Sequence, residues 1–494
     1  MMHLWLTDVD VEKTPASRRL TSGTAFTVDG FNPSPDGKKI VFSHRPKPFE
    51  SAWGDSDISV IDLATRTVTP LVAQPGPDSN PMWSPDGTWI LFNTAMRKPH
   101  HFYQNIELAK IPAEGGEITV LTSSFDEYPN ALKWTQQGIY FNSSQKSLIH
   151  LFQLDPENGS ITRVFDVPEI IVDISLTGDG QKAAITALDR TTLVEVYQTS
   201  LDSYNLVKVT DMTAQIENWP LGTREIISWE SRDGTEIEGI LWKPENYDSN
   251  RRYPLMVVIH GGPNTAARPM PVSGYVYPLV QWLAKGAVIL EPNYRGSAGY
   301  GEQFRSLNVR NLGVGDAWDI ESGVDVLVKT GIADKNRVGA MGWSQGGFIS
   351  AFLSTNSKKF RAISMGAGIS DWTMYYGNTD IHSFTLQYLQ ATPWEDPDVY
   401  AKTSPITHIK NAGTPTLIQH GEFDRRVPIS NAYLMLRGLR DMGVETELIV
   451  YNGFGHGISK PKELLAAMWH NWQWFAKHIW DEDVELPLSK NLER

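Results

Sequence analysis

A short phrase recurs through the first 220 residues of the chain: a tight turn followed by an alternating apolar strand. The sequence Ser-Pro-Asp-Gly occupies residues 34–37 and 84–87, and weaker versions stand at 136–138 and 178–180. The closing glycines lie at positions 37, 87, 138 and 180, so the intervals between them are 50, 51 and 42 residues. Proline presets φ and glycine accepts a positive φ, which suits a tight turn. A period of ~40–50 residues with several strands per repeat is typical of β-propeller blades, and an irregular β-sandwich is the alternative.

The pattern changes at about residue 224, where compact apolar runs begin to alternate with helical stretches. The runs are strand-sized and lie at 255–259, 287–290, 338–341, 362–365, 416–419 and 447–451. Strands that alternate with helices predict a doubly wound, mostly parallel sheet that helices cover on both faces. The turn-forming sequence Pro-Leu-Gly at 220–222 precedes the change. We therefore expect a β-propeller domain over residues 1–221 and an α/β-hydrolase domain over residues 222–494.

Composition excludes several classes of function. Lysine and arginine number 44 and aspartate and glutamate 57, for a net charge of −13, which argues against binding to nucleic acid or to an anionic membrane. The chain has no cysteine, so disulfides, thiolate nucleophiles, zinc sites built on cysteine and iron–sulfur centres are excluded. No apolar run reaches the ~18 residues of a membrane span, and the first residues lack the features of a signal peptide. These observations predict a cytoplasmic protein.

A Gly-x-Ser-x-Gly motif supplies the first candidate for catalysis. Gly342-Trp343-Ser344-Gln345-Gly346 follows the predicted strand at 338–341 and precedes a helical segment at 348–354. This is the context of a nucleophile elbow, where a sharp strand-to-helix turn needs small residues on either side of the serine. We expect Ser344 to be a nucleophile at the carboxyl edge of the sheet.

A serine hydroxyl needs a base, and the base needs a group that orients it. In α/β-hydrolases the chain order is serine, acid, histidine. Asp424 follows the predicted strand at 416–419, and His456 lies in a glycine-rich loop after the strand at 447–451. Both residues therefore lie at carboxyl ends of strands, as Ser344 does. Glu422 is a rival acid, and the alternative for Asp424 is a turn or a helix cap.

A glycine-rich loop follows the first predicted strand of the parallel sheet. His-Gly-Gly-Pro occupies residues 260–263, directly after the strand at 255–259. Acyl transfer passes through an oxyanion that preorganised N–H groups must meet. We expect the backbone N–H groups of Gly262 and Gln345 to form the oxyanion hole, and a plain glycine turn is the alternative.

Together these motifs resemble the prolyl oligopeptidase family of serine peptidases. The resemblance is carried by residues 342–347 (Gly-Trp-Ser-Gln-Gly-Gly), 260–263, 293–297 (Asn-Tyr-Arg-Gly-Ser), 424–428 (Asp-Arg-Arg-Val-Pro) and 453–457 (Gly-Phe-Gly-His-Gly). That family joins an N-terminal β-propeller to a C-terminal α/β-hydrolase domain, so the resemblance covers the whole chain. It implies a catalytic triad of Ser344, Asp424 and His456.

Within the family the chain looks closest to the acylaminoacyl peptidase branch. The dipeptidyl peptidase IV branch places a tyrosine hydroxyl in the oxyanion hole where this chain has His260. The resemblance therefore implies a hole made of backbone N–H groups alone. It also implies that Arg426 holds a backbone carbonyl of the substrate, for which a planar guanidinium is suited. The alternative is a surface arginine that pairs with a carboxylate.

The segment at 371–376 (Asp-Trp-Thr-Met-Tyr-Tyr) resembles the part of the family that lines the pocket for the residue before the scissile bond. Trp372 and Tyr376 are the candidates there, and an aromatic cluster in the core is the alternative. The resemblance implies hydrolysis of short peptides by an acylaminoacyl-peptidase-like or dipeptidyl-peptidase-like exopeptidase. A carboxylesterase with the same Ser–Asp–His chemistry and a catalytically inactive propeller binding protein are the rival functions. Neither a cofactor nor a metal is expected, and formation of a homo-oligomer is left open.

The number of blades is also predicted. At ~45 residues per blade, about 220 residues allow four to five blades, whereas full-length relatives in the family usually have more. The opening residues already read as an inner blade strand. We therefore expect an incomplete propeller, natively short or truncated at its N-terminus, that is open on one side.

Overall fold

The computed structural model describes residues 1–7, 16–177, 181–201, 203–272 and 274–485. The chain divides into two compact units. The first unit comprises Met1–Gln145, Ile149–Ala187 and Val196–Thr210. The second unit comprises Lys146–Leu148, Leu188–Glu195 and Asp211–Arg494.

The first unit is built from short strands in four-stranded groups, preceded by a two-stranded sheet. The strands are β1 (Trp5–Thr7), β2 (Ser17–Arg19), β3 (Thr27–Pro33), β4 (Lys39–Arg45), β5 (Asp57–Asp62), β6 (Val68–Val72), β7 (Asp78–Trp83), β8 (Trp89–Thr94), β9 (Glu107–Pro112), β10 (Thr119–Val120), β11 (Asn130–Thr135), β12 (Gly138–Gln145), β13 (Leu148–Leu154), β14 (Ile161–Arg163), β15 (Ile170–Leu176), β16 (Lys182–Leu188), β17 (Glu195–Ser200) and β18 (Val207–Lys208). Strands β3 to β6 and β7 to β10 form separate sheets. Strands β11 to β14 and β15 to β18 form two further groups, joined by one parallel bridge between Ile149 and Ile170.

The recurring turns close the hairpins of these sheets. In the β3–β4 turn the Ser34 hydroxyl donates to Asp36 Oδ1 at 2.7 Å, and in the β7–β8 turn Ser84 donates to Asp86 Oδ1 at 2.6 Å. Gly37 has a φ of +69° there, which is why a glycine closes the phrase. The fourth phrase, at residues 178–180, lies outside the described residues.

Neighbouring sheets pack face to face, as blades of a propeller do. Strands β4 to β6 share one hydrophobic core with β7 to β9. Other residues of β8 and β9 form a second core with β11 to β13. Strands β12 and β13 in turn share a core with β15 to β17. The described residues thus contain four four-stranded blades and the β1–β2 pair, and the predicted propeller fold is confirmed.

The second unit holds one eight-stranded sheet and all nine α-helices of the described residues. Its strands are β19 (Thr223–Glu230), β20 (Glu236–Lys243), β21 (Tyr253–Ile259), β22 (Val288–Asn293), β23 (Ala333–Trp343), β24 (Ala362–Gly366), β25 (Thr416–Gly421) and β26 (Thr446–Tyr451). Its helices are α1 (Leu279–Ala284), α2 (Gly301–Ser306), α3 (Gly315–Lys329), α4 (Gln345–Asn356), α5 (Trp372–Asn378), α6 (His382–Leu389), α7 (Pro397–Thr403), α8 (Ser430–Asp441) and α9 (Pro461–Trp480).

The sheet has the strand order β19-β20-β22-β21-β23-β24-β25-β26. The six strands β22, β21, β23, β24, β25 and β26 are parallel to one another. Strand β20 pairs antiparallel with β22, and β19 pairs antiparallel with β20. One face packs against α1 and α9, and the other packs against α4 and α8. This arrangement confirms the predicted α/β-hydrolase domain, whose functional residues come from loops at the carboxyl ends of the parallel strands.

In the parts of the chain that the structure describes, no helix combines the length and hydrophobicity needed to cross a membrane. The cytoplasmic location that the sequence suggests stays a prediction.

Candidate active site

Ser344 lies in a very tight turn between β23 and α4. Its φ of +62° and ψ of −121° are unusual for a residue with a side chain, and such a conformation costs about 1–3 kcal/mol. Gly342 and Gly346 approach so closely that a Cβ on Gly342 would overlap the backbone of Gly346. A Cβ on Gly346 would overlap the carbonyl of Ile259 and lie 2.9 Å from the carbonyl oxygen of His260. The glycines are therefore required by backbone contacts that bring the serine to the strand end.

The tightness of this turn leads to a prediction. Replacing Gly346 with alanine is expected to push the turn away from Ile259 and His260, because the new Cβ meets backbone rather than a flexible side chain. We expect a loss of about 1–3 kcal/mol of unfolding free energy. We also expect a fall of about 100-fold in kcat/KM, since small displacements of reacting groups are costly. Thermal unfolding and steady-state kinetics measure the two effects.

Gly413→Ala is the matched control for that substitution. Gly413 is exposed, and a Cβ there would meet only the mobile end of the Lys358 side chain at 3.4 Å. Wild-type kinetics in the Gly346→Ala protein would show that the turn tolerates the added carbon, and the account of the glycines would be wrong.

The structure joins Ser344, His456 and Asp424 in one chain of hydrogen bonds. His456 Nδ1 lies 2.7 Å from Asp424 Oδ2, and His456 Nε2 lies 2.9 Å from Ser344 Oγ. An ionised carboxylate can only accept, so Nδ1 carries the proton and donates to Asp424. Nε2 is then left to accept from the Ser344 hydroxyl. The geometry suits a base that removes the proton from a serine nucleophile.

Asp424 is buried and is held by three donors. It accepts the backbone N–H of Val427 at 2.9 Å in addition to the bond from His456, and His420 Nε2 lies 3.5 Å from Oδ2. Burial alone would raise its pKa, but the hydrogen bonds from His420, His456 and Val427 outweigh burial and lower the pKa to about 2. The carboxyl group therefore stays ionised at neutral pH, as an acceptor for His456 must.

The rival acid, Glu422, has a different place. It is exposed, and its carboxylate accepts the backbone N–H of Gly453 at 2.9 Å. It ties the loop after β25 to the loop after β26 and does not contact His456 among the described contacts.

The glycine-rich loop at 260–262 lies directly beside the nucleophile. A Cβ on Gly261 would stand 3.4 Å from Ser344 Cβ. Gly262 has a φ of +121°, and a Cβ there would lie 2.7 Å from the backbone nitrogen of Asn264. Gln345 is the first residue of α4, where a helix leaves N–H groups without an internal acceptor. Gln345 therefore follows Ser344 in sequence, and Gly262 follows Gly261, which lies beside Ser344; their role as oxyanion donors stays a prediction.

His260 is part of the framework of this loop. Its ring stacks on Tyr294 with centroids 4.4 Å apart, and Nε2 lies 3.0 Å from Ser297 Oγ. Burial lowers the pKa of His260 to about 4, so the imidazole is neutral at neutral pH.

The three predicted substrate-binding residues, Trp372, Tyr376 and Arg426, have different environments in the structure. Trp372 is fully buried among Phe348, Tyr375 and Phe384, so it is a core residue, and the prediction that it lines a substrate pocket is corrected. Packing decides its place, because the first turn of α5 faces α4 and α6. Tyr376 is half-buried beside the exposed Trp394.

Arg426 makes an ion pair with a carboxylate. Its Nε donates to Asp380 Oδ1 at 2.6 Å, and about a third of each side chain is exposed. This is the contact that the alternative interpretation of Arg426 required. Asp380 lies just before α6, so the pair connects the loop after β25 to the segment around the predicted pocket.

Two residues that sequence reasoning missed hold the histidine loop in place. The Trp343 indole N–H donates to the carbonyl of His456 at 2.7 Å. The Tyr275 hydroxyl accepts the N–H of Ile458, and its ring packs edge-on against Trp343. His420 was also missed, although its place at the end of a strand, four residues before Asp424, was a usable signal. No comparable signal exists for Tyr275, which is distant in sequence.

The α/β-hydrolase fold, with its serine between strand and helix, places the protein in the class of serine hydrolases. Residues 276–482 match the model of the prolyl oligopeptidase family, Peptidase_S9. The part of the chain that carries Ser344, Asp424 and His456 therefore matches the prolyl oligopeptidase family, and the resemblance predicted from its motifs is confirmed.

Known relatives match beyond this domain. The chain is 28% identical to the uncharacterized peptidase YuxL of Bacillus subtilis, over 86% of this chain and 74% of YuxL. It is 26% identical to dipeptidyl-peptidase 5 of Porphyromonas gingivalis, over 89% of this chain and 65% of that enzyme. The structure of the Pyrococcus horikoshii acylaminoacyl peptidase superposes with a TM-score of 0.74 at 20% identity, over 99% of this chain and 87% of that one. The chain thus spans roughly two thirds to nine tenths of the length of these proteins.

Proposed function

We propose that this protein is a serine peptidase that hydrolyses short peptides through an acyl-enzyme. The observation that carries the proposal is the hydrogen-bonded series Ser344–His456–Asp424 beside the glycine-rich loop. Relatives named as peptidases, dipeptidyl-peptidase 5 among them, support it. The proposal includes a propeller domain over residues 1–221 and a catalytic domain over residues 222–494.

In the first half of the reaction, Ser344 Oγ attacks the carbonyl carbon of the scissile bond. His456 Nε2 takes the hydroxyl proton, and Asp424 stabilises the imidazolium that forms. The carbonyl oxygen becomes an oxyanion, which the N–H groups of Gly262 and Gln345 would meet. His456 then gives the proton to the leaving amine, the carbon–nitrogen bond breaks, and an ester on Ser344 remains.

In the second half, water takes the place of the leaving amine. His456 removes a proton from the water while the water oxygen attacks the ester carbonyl. The oxyanion again forms beside the N–H groups of Gly262 and Gln345. The bond to Ser344 Oγ breaks, and His456 returns the proton to the serine. The neutral, stacked His260 supplies no charge to this site, which supports an oxyanion hole of backbone donors alone.

Residues around α5 and α6 are proposed to bind the acyl side of the substrate. Tyr376 is the remaining candidate to contact the side chain before the scissile bond, since Trp372 is in the core. Asp380 orients the Arg426 guanidinium through Nε, and we assign Arg426 to a substrate carbonyl.

Covalent labelling tests whether the serine is activated. A fluorophosphonate probe is expected to modify the protein once, on the tryptic peptide that contains Ser344, and labelling is read by mass spectrometry. Prior unfolding should abolish the reaction, because an isolated serine hydroxyl is a poor nucleophile. Absence of labelling in the folded protein would favour the inactive binding protein.

A substrate panel tests the specificity. We expect hydrolysis of N-acetyl-alanine anilide or of a free-amine dipeptide anilide, in line with the names of the relatives. An anilide carries a poor leaving group, so its turnover relative to p-nitrophenyl butyrate separates a peptidase from an esterase. Hydrolysis of the ester alone would assign the protein to the carboxylesterases.

A further inference from the structure

A cavity lies beside the glycine-rich loop, and none of the predicted acyl-side residues Trp372, Tyr376 and Arg426 lines it. It measures about 250 Å³, and its lining includes Gly261, Trp343, Tyr275, Tyr277 and Glu291. Tyr277 and Trp343 belong to the core that α1 and α9 form on one face of the sheet. The α5 segment with Trp372 instead packs against α4 and α6. The cavity is therefore separate from the pocket proposed for the residue before the scissile bond.

The walls of this cavity adjoin the groups that handle the leaving amine. Gly261 touches Ser344, since a Cβ on it would lie 3.4 Å from Ser344 Cβ. Trp343 donates to the His456 carbonyl at 2.7 Å, and Tyr275 accepts from Ile458 in the same loop. In the proposed reaction His456 protonates the leaving amine, so the leaving group must lie on the His456 side of the serine. Two lining residues of the cavity, Trp343 and Tyr275, contact the loop that carries His456.

The chemistry of the lining defines what the cavity can hold. Most lining residues are apolar, and the volume is below the ~300–1,000 Å³ of pockets for drug-sized ligands, so it suits a single side chain. The Tyr277 hydroxyl is buried and has no hydrogen-bond partner within the described ranges. Glu291 is buried as well, and its Oε2 accepts the Trp242 indole N–H at 2.6 Å. An unpaired buried hydroxyl is costly unless a ligand satisfies it.

Besides its two tyrosines, the charged or titratable groups that line the cavity are Arg268, Glu291 and His260. Burial raises the pKa of Glu291 to about 7, against the opposing effects of the Trp242 hydrogen bond and the Arg224 charge. His260, which lines the same cavity, is neutral at neutral pH. Arg268 donates to the carbonyl of Ala266, and its guanidinium would repel a cationic side chain, whereas an apolar or aromatic side chain has no charge hydration to lose on entering.

We propose that this cavity binds the side chain of the residue that follows the scissile bond, and that it selects a bulky apolar or aromatic group with a hydrogen-bonding end. This inference rests on the proposed peptidase function. A tyrosine of the substrate carries a hydroxyl that can hydrogen-bond to Tyr277, whereas a phenylalanine of the substrate has no such group.

Acyl transfer to added amines tests the cavity separately from acylation. A p-nitrophenyl ester forms the acyl-enzyme and releases p-nitrophenolate. An added amine then attacks the ester carbonyl, its nitrogen forms the new amide bond, and the bond to Ser344 Oγ breaks. His456 moves the proton from the amine to the serine. The ratio of amide to acid, measured by chromatography, reports how well each amine occupies the leaving-group side in competition with water.

Wild-type protein is expected to transfer the acyl group to phenylalaninamide about tenfold more efficiently than to glycinamide, since burial of an aromatic side chain is favourable. Ala267 lines the cavity, and Ala267→Phe fills it, so this preference should fall to near unity. Ala284→Phe is the matched control, because Ala284 lines a different cavity of about 360 Å³ at the other end of α1. Equal transfer to the two amines by the wild type, or an unchanged preference in Ala267→Phe, would overturn the proposal.

A conservative variant tests the hydrogen bond. Tyr277→Phe removes one oxygen and keeps the shape, so folding is preserved and transfer to phenylalaninamide should persist. A preference for tyrosinamide over phenylalaninamide, of about threefold to tenfold in the wild type, is expected to disappear. Persistence of that preference in Tyr277→Phe would contradict the assigned hydrogen-bonding end.

Binding without catalysis separates the two proposals. Titration calorimetry of the Ser344→Ala protein with phenylalaninamide should show binding that the added Ala267→Phe substitution weakens about tenfold. If the wild type forms no acyl-enzyme but this binding is found, the peptidase proposal fails, and the cavity is an aromatic-amine site that has no leaving-group role. If acylation occurs and no such binding or preference exists, the cavity assignment fails alone.

Discussion

Ser344→Ala is expected to lower kcat/KM for acyl-peptide anilides by about 10⁴-fold or more. The substitution removes the hydroxyl oxygen that lies 2.9 Å from His456 Nε2 and is placed for attack on a carbonyl. Alanine is smaller than serine, and among the described residues the Ser344 hydroxyl hydrogen-bonds only to His456, so the protein should fold normally. Steady-state hydrolysis of N-acetyl-alanine p-nitroanilide measures the loss, and circular dichroism with thermal unfolding verifies the fold.

Ser249→Ala is the control for this variant, because Ser249 is exposed in a loop of the same domain. It should retain wild-type kinetics and wild-type labelling by a fluorophosphonate. Turnover of Ser344→Ala close to that of Ser249→Ala would eliminate Ser344 as the nucleophile.

Asp424→Asn is expected to lower kcat by about 10⁴-fold while leaving the fold intact. An asparagine amide can present an N–H toward His456 Nδ1, which favours the tautomer with its proton on Nε2. That tautomer cannot accept the Ser344 proton, so the nucleophile loses its base. Because the pKa of Asp424 is lowered to about 2, wild-type activity should show no loss from its titration between pH 5 and 8.

The neighbouring rival acid provides the comparison for this variant. Glu422→Gln keeps an oxygen that can accept from Gly453, and it should stay within about threefold of the wild type, as exposed substitutions usually do. A larger loss in Glu422→Gln than in Asp424→Asn, measured with the same anilide, would reverse the assignment of the acid.

Much of the fold was readable from local patterns. The six parallel strands of the hydrolase sheet appear in sequence as compact apolar runs, because strands buried on both faces are apolar throughout. Strands β19 and β20 were not predicted. β19 is the edge strand and its burial pattern is irregular, while β20 is mostly buried but has an apolar run of only three residues, 240–242, which is too short to distinguish a strand from a loop.

Contacts between segments that are distant in sequence could not be predicted from the sequence. Trp343 bonds the carbonyl of His456, which is 113 residues later in the chain, and Tyr275 bonds the N–H of Ile458, which is 183 residues later. Both contacts hold the His456 loop in place. Aromatic residues are common in cores and in sites alike, so their roles depend on which segments meet. The same ambiguity explains the error at Trp372, which the motif placed at a pocket and packing placed in the core.

The sequence by itself determined the kind of fold and the chemical groups of the site. Backbone requirements leave local traces, such as the glycines around Ser344 that a crowded turn demands and the proline and glycine of the first two blade turns. Only the tertiary structure decided which acid meets His456, what orients its loop, and where a leaving group can lie. Those outcomes depend on distances across the sheet, and packing sets such distances through many residues at once.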